Sequence, residues 1–411
     1  MVAENREKKY LAGLMAFLCV ATFLEGFDFF IVSLIIDLFS KDFGISNKTA
    51  LFGVAIINIG AILGFFLVRL GDRIGRKPLF VMGLAGFGLM SLATSFSANF
   101  YMYIALQFVT KMFLVTEFNI AIVMVAEEFP SHVRGTAVSV LEVAGGLGGG
   151  AAMLISKYVL AAHGWRGMYW IGGAPLIVAP FAFLYLKETL HFINIKEKGE
   201  NRARALFHIW TTPSAPKALL SGSLWFLCYI CYAGLIYHWV LFATTERGWT
   251  HAQVGFPMFV ASTLGMLGYI VSGAMMDKIG RRKTGVFFFL MSAVSLATAF
   301  TAHGSMMMPT LIAAVFFIFA LLPVCSTYNA ELFPTELRAD ASAWCNFLMG
   351  RPAQVAAPSI VALISTFAGG IGNAVALLSI APFIAAFIVL KYLPETKGIS
   401  LHFSPMQVEA E

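Results

Sequence analysis

Stretches of about 20 apolar residues, each long enough to cross roughly 30 Å of hydrocarbon as a helix, recur twelve times along this chain between short polar connections. They fall at 11–36, 49–70, 78–97, 101–126, 136–161, 166–186, 218–243, 251–275, 284–302, 305–329, 339–366 and 371–393. None shows the alternation and regular turns of a barrel strand, so helices must satisfy the backbone hydrogen bonds in lipid. Composition agrees, since 59% of the 411 residues are apolar and only 12% are charged, far from the balance of a soluble protein. The expectation is an all-α membrane protein with twelve transmembrane helices.

Lys and Arg orient it. Of the 28 such residues, 21 fall in the two tails and the even-numbered connections and five on the opposite side, which predicts a multi-pass protein of the plasma (inner) membrane with both termini in the cytoplasm. The net charge of +6 is spread over loops that face anionic lipid, so it argues for bilayer contact and against nucleic acid. The opening MVAENREKKY before an apolar run imitates a signal peptide, but Glu25 and Asp28 interrupt the run and an uncleaved first span is expected. The five cysteines all lie inside apolar stretches, and Cys228 with Cys231 reads as packing, so no metal site and no cofactor is expected. With no HExxH, GxSxG or phosphate loop in the chain, the reading is not an enzyme.

Internal repetition divides the chain. GDRIGRK at 71–77 returns as MDKIGRRK at 276–283, EEFPSHVRGTA at 127–137 as ELFPTELRADA at 331–341, and LKETL at 186–190 as LPETKG at 393–398. The offsets cluster at 204 to 207, which is the mark of a duplication. It predicts an N-terminal six-helix bundle at 1–186, a cytoplasmic linker at 187–217, a C-terminal six-helix bundle at 218–393 and a cytoplasmic tail at 394–411. Parallel repeats of this kind hold their site where the two halves meet. Candidate gating residues in the repeated loops are Asp72, Arg73, Gly75, Arg76, Glu127 and Arg134, then Asp277, Lys278, Gly280, Arg281, Glu331 and Arg338. Glycine there permits tight turns, while the charges can pair in one state and release in another.

Charges inside the stretches carry the functional argument. Glu25 and Asp28 lie near the middle of the first, Lys111 of the fourth and Arg351 of the eleventh, with Glu117 and Glu142 nearer the cytoplasmic side. Each costs roughly 2.5 kcal/mol or more if it faces lipid at the centre. Glu25 and Asp28 share a helix face, and two carboxylates that close cannot both ionise easily, a property a proton carrier needs; an ion pair with Lys111 or Arg351 is the other reading. Arg351 keeps its charge and offers a planar fork to a carboxylate, or else serves as a structural partner for Glu142 or Glu117. Lys111 and Glu117, six apart, sit on nearly opposite helix faces. Gln107, Tyr229, Tyr232, Tyr328, Asn329, Trp344, Asn346 and Gln354 are further candidates for substrate contact, and the aromatic ones can stack on a ring or sugar face. The run Gly145–Gly150, with Leu147 inside it, reads as close helix approach.

Twelve spans, a central cytoplasmic loop and the loops around Asp72 and Asp277 make this chain resemble the major facilitator superfamily (MFS fold) over nearly its whole length. The second loop carries the complete pattern in Gly273, Asp277, Lys278, Gly280, Arg281 and Arg282; the first has Val68 where a glycine is expected. A narrower resemblance, to the sugar porter and aromatic-acid or metabolite:proton symporter branches, rests on Glu25-Gly26-Phe27-Asp28, Glu117 before Glu127, Glu128-Phe129-Pro130, Arg134-Gly135, Arg351 with Pro358, and Pro394-Glu395-Thr396-Lys397-Gly398. Gln107 stands where those relatives place an Arg, and Lys111 and Val115 where they place glycines. The resemblance implies a secondary active transporter, monomeric, with a small-molecule substrate and protons as partners. Together with the buried charges it favours proton-coupled symport of a small organic or aromatic carboxylate by alternating access. The alternative is a proton-coupled sugar or polyol symporter, followed by drug efflux.

Overall fold

The computed structural model describes residues 2–189, 192–193 and 207–397; most of the linker, the end of the tail, and the side chains of Asp72, Arg134 and Arg338 lie outside the described residues. All regular structure among them is helical: α1 (Val2–Asp42), α2 (Asn47–Ile74), α3 (Arg76–Thr94), α4 (Phe100–Glu128), α5 (Ser131–Gly172), α6 (Pro175–Tyr185), α7 (Ala215–Thr245), α8 (His251–Gly265), α9 (Leu267–Ile279), α10 (Arg281–Thr301), α11 (Met307–Phe319), α12 (Leu321–Glu331), α13 (Thr335–Ser342), a π-helical segment (Ala343–Gly350), α14 (Pro352–Ala368), α15 (Ile371–Leu378) and α16 (Ile380–Tyr392). Short 3₁₀ turns precede α7 and α11.

Among the described residues eleven helical runs are long and apolar enough to cross a membrane, one fewer than the sequence count. The difference lies in Thr136–Tyr185, whose 50 residues would extend about 75 Å as one helix and take in both 136–161 and 166–186. Gly164, at φ 63° and ψ −167°, breaks the helix between those two stretches. Elsewhere the boundaries follow local chemistry. The Asn99 side chain accepts the Met102 amide at 2.9 Å and caps α4, and Pro130 follows its last turn.

The chain forms two compact units. Unit 1 comprises Met1–Ser46, Ile56–Ala203 and His251–Phe259, and unit 2 comprises Asn47–Ala55, Arg204–Thr250 and Val260–Glu411. In unit 1, α1 lies along α5 and α3 along α4. The glycine run makes the first contact possible: a Cβ on Gly26 would collide with the Gly145 carbonyl, and one on Gly148 with the Phe23 carbonyl. Helices that touch backbone to backbone gain dense packing that larger side chains forbid. At the end of α1, Asp42 accepts from Arg166 at 2.5 Å and Trp165 at 3.3 Å, beside a cluster of Phe39, Phe43, Phe100, Tyr103, Trp165 and Tyr169 rings.

In unit 2, α7 is the central helix, packed by the π-helical segment, α14 and α16. Just past its end, Glu246 accepts the amides of Ile371 and Gly372, the latter at 3.1 Å, and so caps α15. Glu246 stands 204 residues after Asp42, and both acids tie the end of a repeat's first helix to the start of its last.

Candidate functional site

The charges of unit 1 converge on the helices around α1. Asp28 is 2% exposed; it accepts a hydrogen bond from the Ser91 hydroxyl of α3 and lies within electrostatic reach of Lys111. Around it lie two tyrosines that sequence reasoning missed, and the candidates Gln107 and Lys111. The hydroxyls of Tyr103 and Tyr169 meet at 2.8 Å, both within reach of Asp28. Gln107 donates to Thr94 at 2.9 Å. Lys111, 6% exposed, holds its ammonium 3.5 Å from the centroid of the Phe29 ring, a cation–π contact.

The acids next to Asp28 in sequence or charge go elsewhere. Glu25 is half-buried and directs its carboxylate toward Gly145 of α5. Glu117 is fully buried, packed against Gly83 of α3, and neither of its oxygens has a hydrogen-bond partner. Glu25 and Glu117 lie within electrostatic reach of each other. Glu142 is exposed on α5.

In unit 2 the polar and aromatic candidates gather where α7 meets the π-helical segment. The Arg351 amide bonds the Asn346 carbonyl, five residues back, at 3.1 Å. Pro352 explains that wider turn, because its ring would strike the carbonyl four residues earlier in an ordinary helix. The Arg351 guanidinium lies 4.8 Å from the Phe347 ring centroid, and its Nε is buried without a partner. Tyr229 donates to the Asn346 side chain at 2.9 Å and packs on Trp225 and Tyr232, which stacks on Phe319. The Trp225 indole N–H is also buried without a partner. A Cβ on Gly350 would press on both Trp225 and Tyr229, so glycine lets α7 and the segment close. Gln354 is buried one turn beyond Arg351.

Three candidates lie apart from this group. Asn329 accepts from Ser221. Tyr328 is buried with its hydroxyl unpartnered, within electrostatic reach of Glu331 and Glu395 near the end of α12. Trp344 packs against Trp210 and Phe207, residues that precede α7.

The repeated loops fold into matching charge clasps. Gly75 and Gly280, at φ 108° and 98°, open α3 and α10 in a conformation that residues with a Cβ rarely adopt. Arg76 grips Glu127 through Nε at 3.0 Å and Nη2 at 2.8 Å, while the amides of Arg76 and Lys77 donate to Glu188 and the Thr189 hydroxyl to Glu127. Arg281 grips Glu331 through Nε at 3.1 Å and Nη2 at 2.8 Å; the amides of Arg281 and Arg282 donate to Glu395 and Thr396 to Glu331. Each clasp lies within one unit. Arg73 is exposed, Asp277 pairs with Arg281 at 3.3 Å, and the Lys278 carbonyl accepts the Lys397 ammonium. Glu188, Thr189, Glu395 and Thr396 were not among the expected gating residues, although the LKETL and LPETKG repeat marked them.

Known proteins place this geometry. The Major Facilitator Superfamily family model matches residues 18–350 and 238–407. The chain is 25% identical to a niacin transporter of Acinetobacter baylyi over 92% of each chain, and 24% identical to a cis,cis-muconate transport protein of the same organism over 94% of each. A crystal structure of a D-xylose-proton symporter superposes with a TM-score of 0.76 at 18% identity, covering 95% of this chain and 100% of that one. Matched over more than half its length by that family model and sharing the symporter's fold, this multi-pass membrane protein belongs to the Major Facilitator Superfamily and is a transporter of small molecules, not an enzyme.

Proposed function

We propose that this transporter carries a small aromatic or organic carboxylate together with protons, by alternating access. The observation that carries the reading is Arg351: a guanidinium that cannot shed its charge, laid over Phe347 beside the Tyr229–Asn346 bond, with a buried N–H that no group among the described residues satisfies. A carboxylate satisfies such a donor and an aromatic ring on it suits the surrounding rings. Niacin and muconate, named for two relatives, are carboxylates. Gln107, Lys111, Tyr232, Tyr328, Asn329, Trp344 and Gln354 remain secondary candidates for substrate contact.

Protons belong, on this reading, to the acids of unit 1. An unpaired, fully buried carboxylate is far costlier than its neutral acid, which suits Glu117 to take up a proton with cargo, and Asp28, Glu25 and Glu142 are its companions. One proton per negative charge removes the electrical cost, about 2.3 kcal/mol per 100 mV, of bringing an anion into an inside-negative cell. The bundles 1–186 and 218–393, the linker 187–217, the tail 394–411, a plasma-membrane location, cytoplasmic termini and a monomeric state complete the proposal, supported by the repeat and the Lys and Arg distribution. The loop residues from Asp72 to Arg134 and from Asp277 to Arg338 serve as gating elements.

Reconstitution in liposomes with an imposed pH gradient, followed by uptake of labelled nicotinate, muconate and xylose, tests the reading. Carboxylate accumulation that needs the gradient is expected. Accumulation of xylose in preference to the acids, or uptake indifferent to the gradient, refutes it.

A further inference from the structure

Unit 1 contains one segment from the second repeat, His251–Phe259, and the segment 204 residues earlier, Asn47–Ala55, belongs to unit 2. The start of α8 is seated on unit 1 at three points. His251 Nε2 bonds Asp37 of α1 at 3.0 Å. Gly255 lies so close to the Met153 carbonyl of α5 that a Cβ would stand 2.5 Å from it, and the Phe259 ring covers Gly150. Asp37 is 3% exposed, and its other oxygen, Oδ1, is buried without a partner, so among the described residues His251 is the one hydrogen-bond partner of a buried carboxylate. Histidine is the side chain whose charge changes near neutral pH.

We propose that Asp37 and His251 form a proton-dependent clasp that holds the start of α8 on α1 and α5. Protonated, the imidazole supplies a charge-assisted bond to Asp37; neutral, it leaves the carboxylate buried with a weaker partner, which favours release. At this end α1 also carries Lys41 and Asp42, and α5 carries Lys157, His163 and Arg166. Asp42 is held by Arg166 and Trp165, Lys157 lies over Tyr158, His163 packs on Trp170 and Lys41 is exposed. The clasp lies at the end of α1 away from the N-terminus, which the topology proposed above puts on the outer side, but the pairing itself does not depend on that topology.

Detergent-solubilised protein exposes both faces to reagent and makes the test independent of topology. Ser156, buried beneath Gly255, is replaced by Cys in a Cys19→Ser background, the other four native thiols being buried. The labelling rate of Ser156→Cys is compared with and without Asp37→Asn at one pH at a time, which cancels the pH dependence of the thiol. Asp37→Asn should speed labelling about tenfold at pH 5.5, the factor a charged hydrogen bond is worth, and the ratio should fall toward one at pH 8.5. His251→Gln should label at a rate that no longer responds to Asp37→Asn with pH. Gly255→Ala, which wedges α8 from α5, should speed labelling at both pH values and guards against a variant that merely misfolds. A ratio of one at pH 5.5, or an equal ratio at both pH values, overturns the clasp.

Discussion

The two repeats align at an offset of 204 residues, yet they fill their equivalent positions with opposite chemistry. Glu25 and Asp28 stand where Tyr229 and Tyr232 stand, and Gly145-Gly146-Leu147 where Met349-Gly350-Arg351 stand. In unit 1 the first and fifth spans meet through backbone, Gly26 on Gly145 and Gly148 on Phe23, and the charge at these positions of the first span is negative. In unit 2 the equivalent elements meet through side chains, Met349 on Gly222 and Trp225 and Tyr229 on Gly350, and the charge is positive and bedded in rings. The loop clasps, by contrast, match almost atom for atom. The duplicated frame is kept while the interior differs, and on that difference rests the proposal that protons bind in one repeat and an anion in the other.

That division can be broken most sharply at Arg351. Arg351→Ala should weaken carboxylate binding by roughly 10²-fold, as loss of one partner of a desolvated charge pair does, whereas Leu147→Ala at the equivalent site should change it little; equal effects in a binding titration would erase the contrast. The packing difference comes next. Gly148→Val forces a side chain against the Phe23 carbonyl and should destabilise by about 1–3 kcal/mol, while Gly273→Ala, which meets nothing within 4 Å, should leave the melting temperature nearly unchanged. The reverse order in thermal unfolding would show that backbone contact does not fix unit 1.

The conserved clasps should differ less. Glu127→Gln and Glu331→Gln each weaken a bifurcated Arg–Glu grip, and both should cost about 1–2 kcal/mol, Glu127 the more because Arg76 is the better buried of the two arginines. The smallest effect is a pH dependence at Glu395. Burial pushes its carboxyl up, but the amides of Arg281, Arg282, Lys397 and Thr396 outweigh that and hold it below its usual value of 4.5. An acid held low stabilises the fold above its ordinary value and loses that contribution as pH falls through the lowered one. Protection of residues 393–397 from proteolysis should therefore persist at pH 5 and fade only below about pH 4.5; fading between pH 7 and 5 would contradict the amide cradle.

The spans, the duplication and the loop motifs were legible because hydropathy, a fixed offset and glycine-with-charge patterns are local features. The break at Gly164 was legible too, since the apolar stretches 136–161 and 166–186 leave it in the short connection between them. The π turn at Arg351 was implicit in Gly-Arg-Pro but needed the fold to show that it aims a guanidinium over Phe347. Asp28 and Glu25 share a face by spacing, yet Asp28 finds Ser91, 63 residues away, and Glu25 turns toward Gly145; partners so distant in sequence leave no local trace. Asp42 and Glu246 could have been found by carrying the 204-residue offset beyond the loops.

The central claim, that acids of the first repeat bind the proton while the second repeat holds the cargo, is tested most directly by Glu117→Gln in proteoliposomes, comparing counterflow of labelled carboxylate with its accumulation under a pH gradient. Counterflow should persist and accumulation should be lost. If accumulation survives, or if both vanish together in folded protein, the proton and the anion are not divided between the repeats in this way.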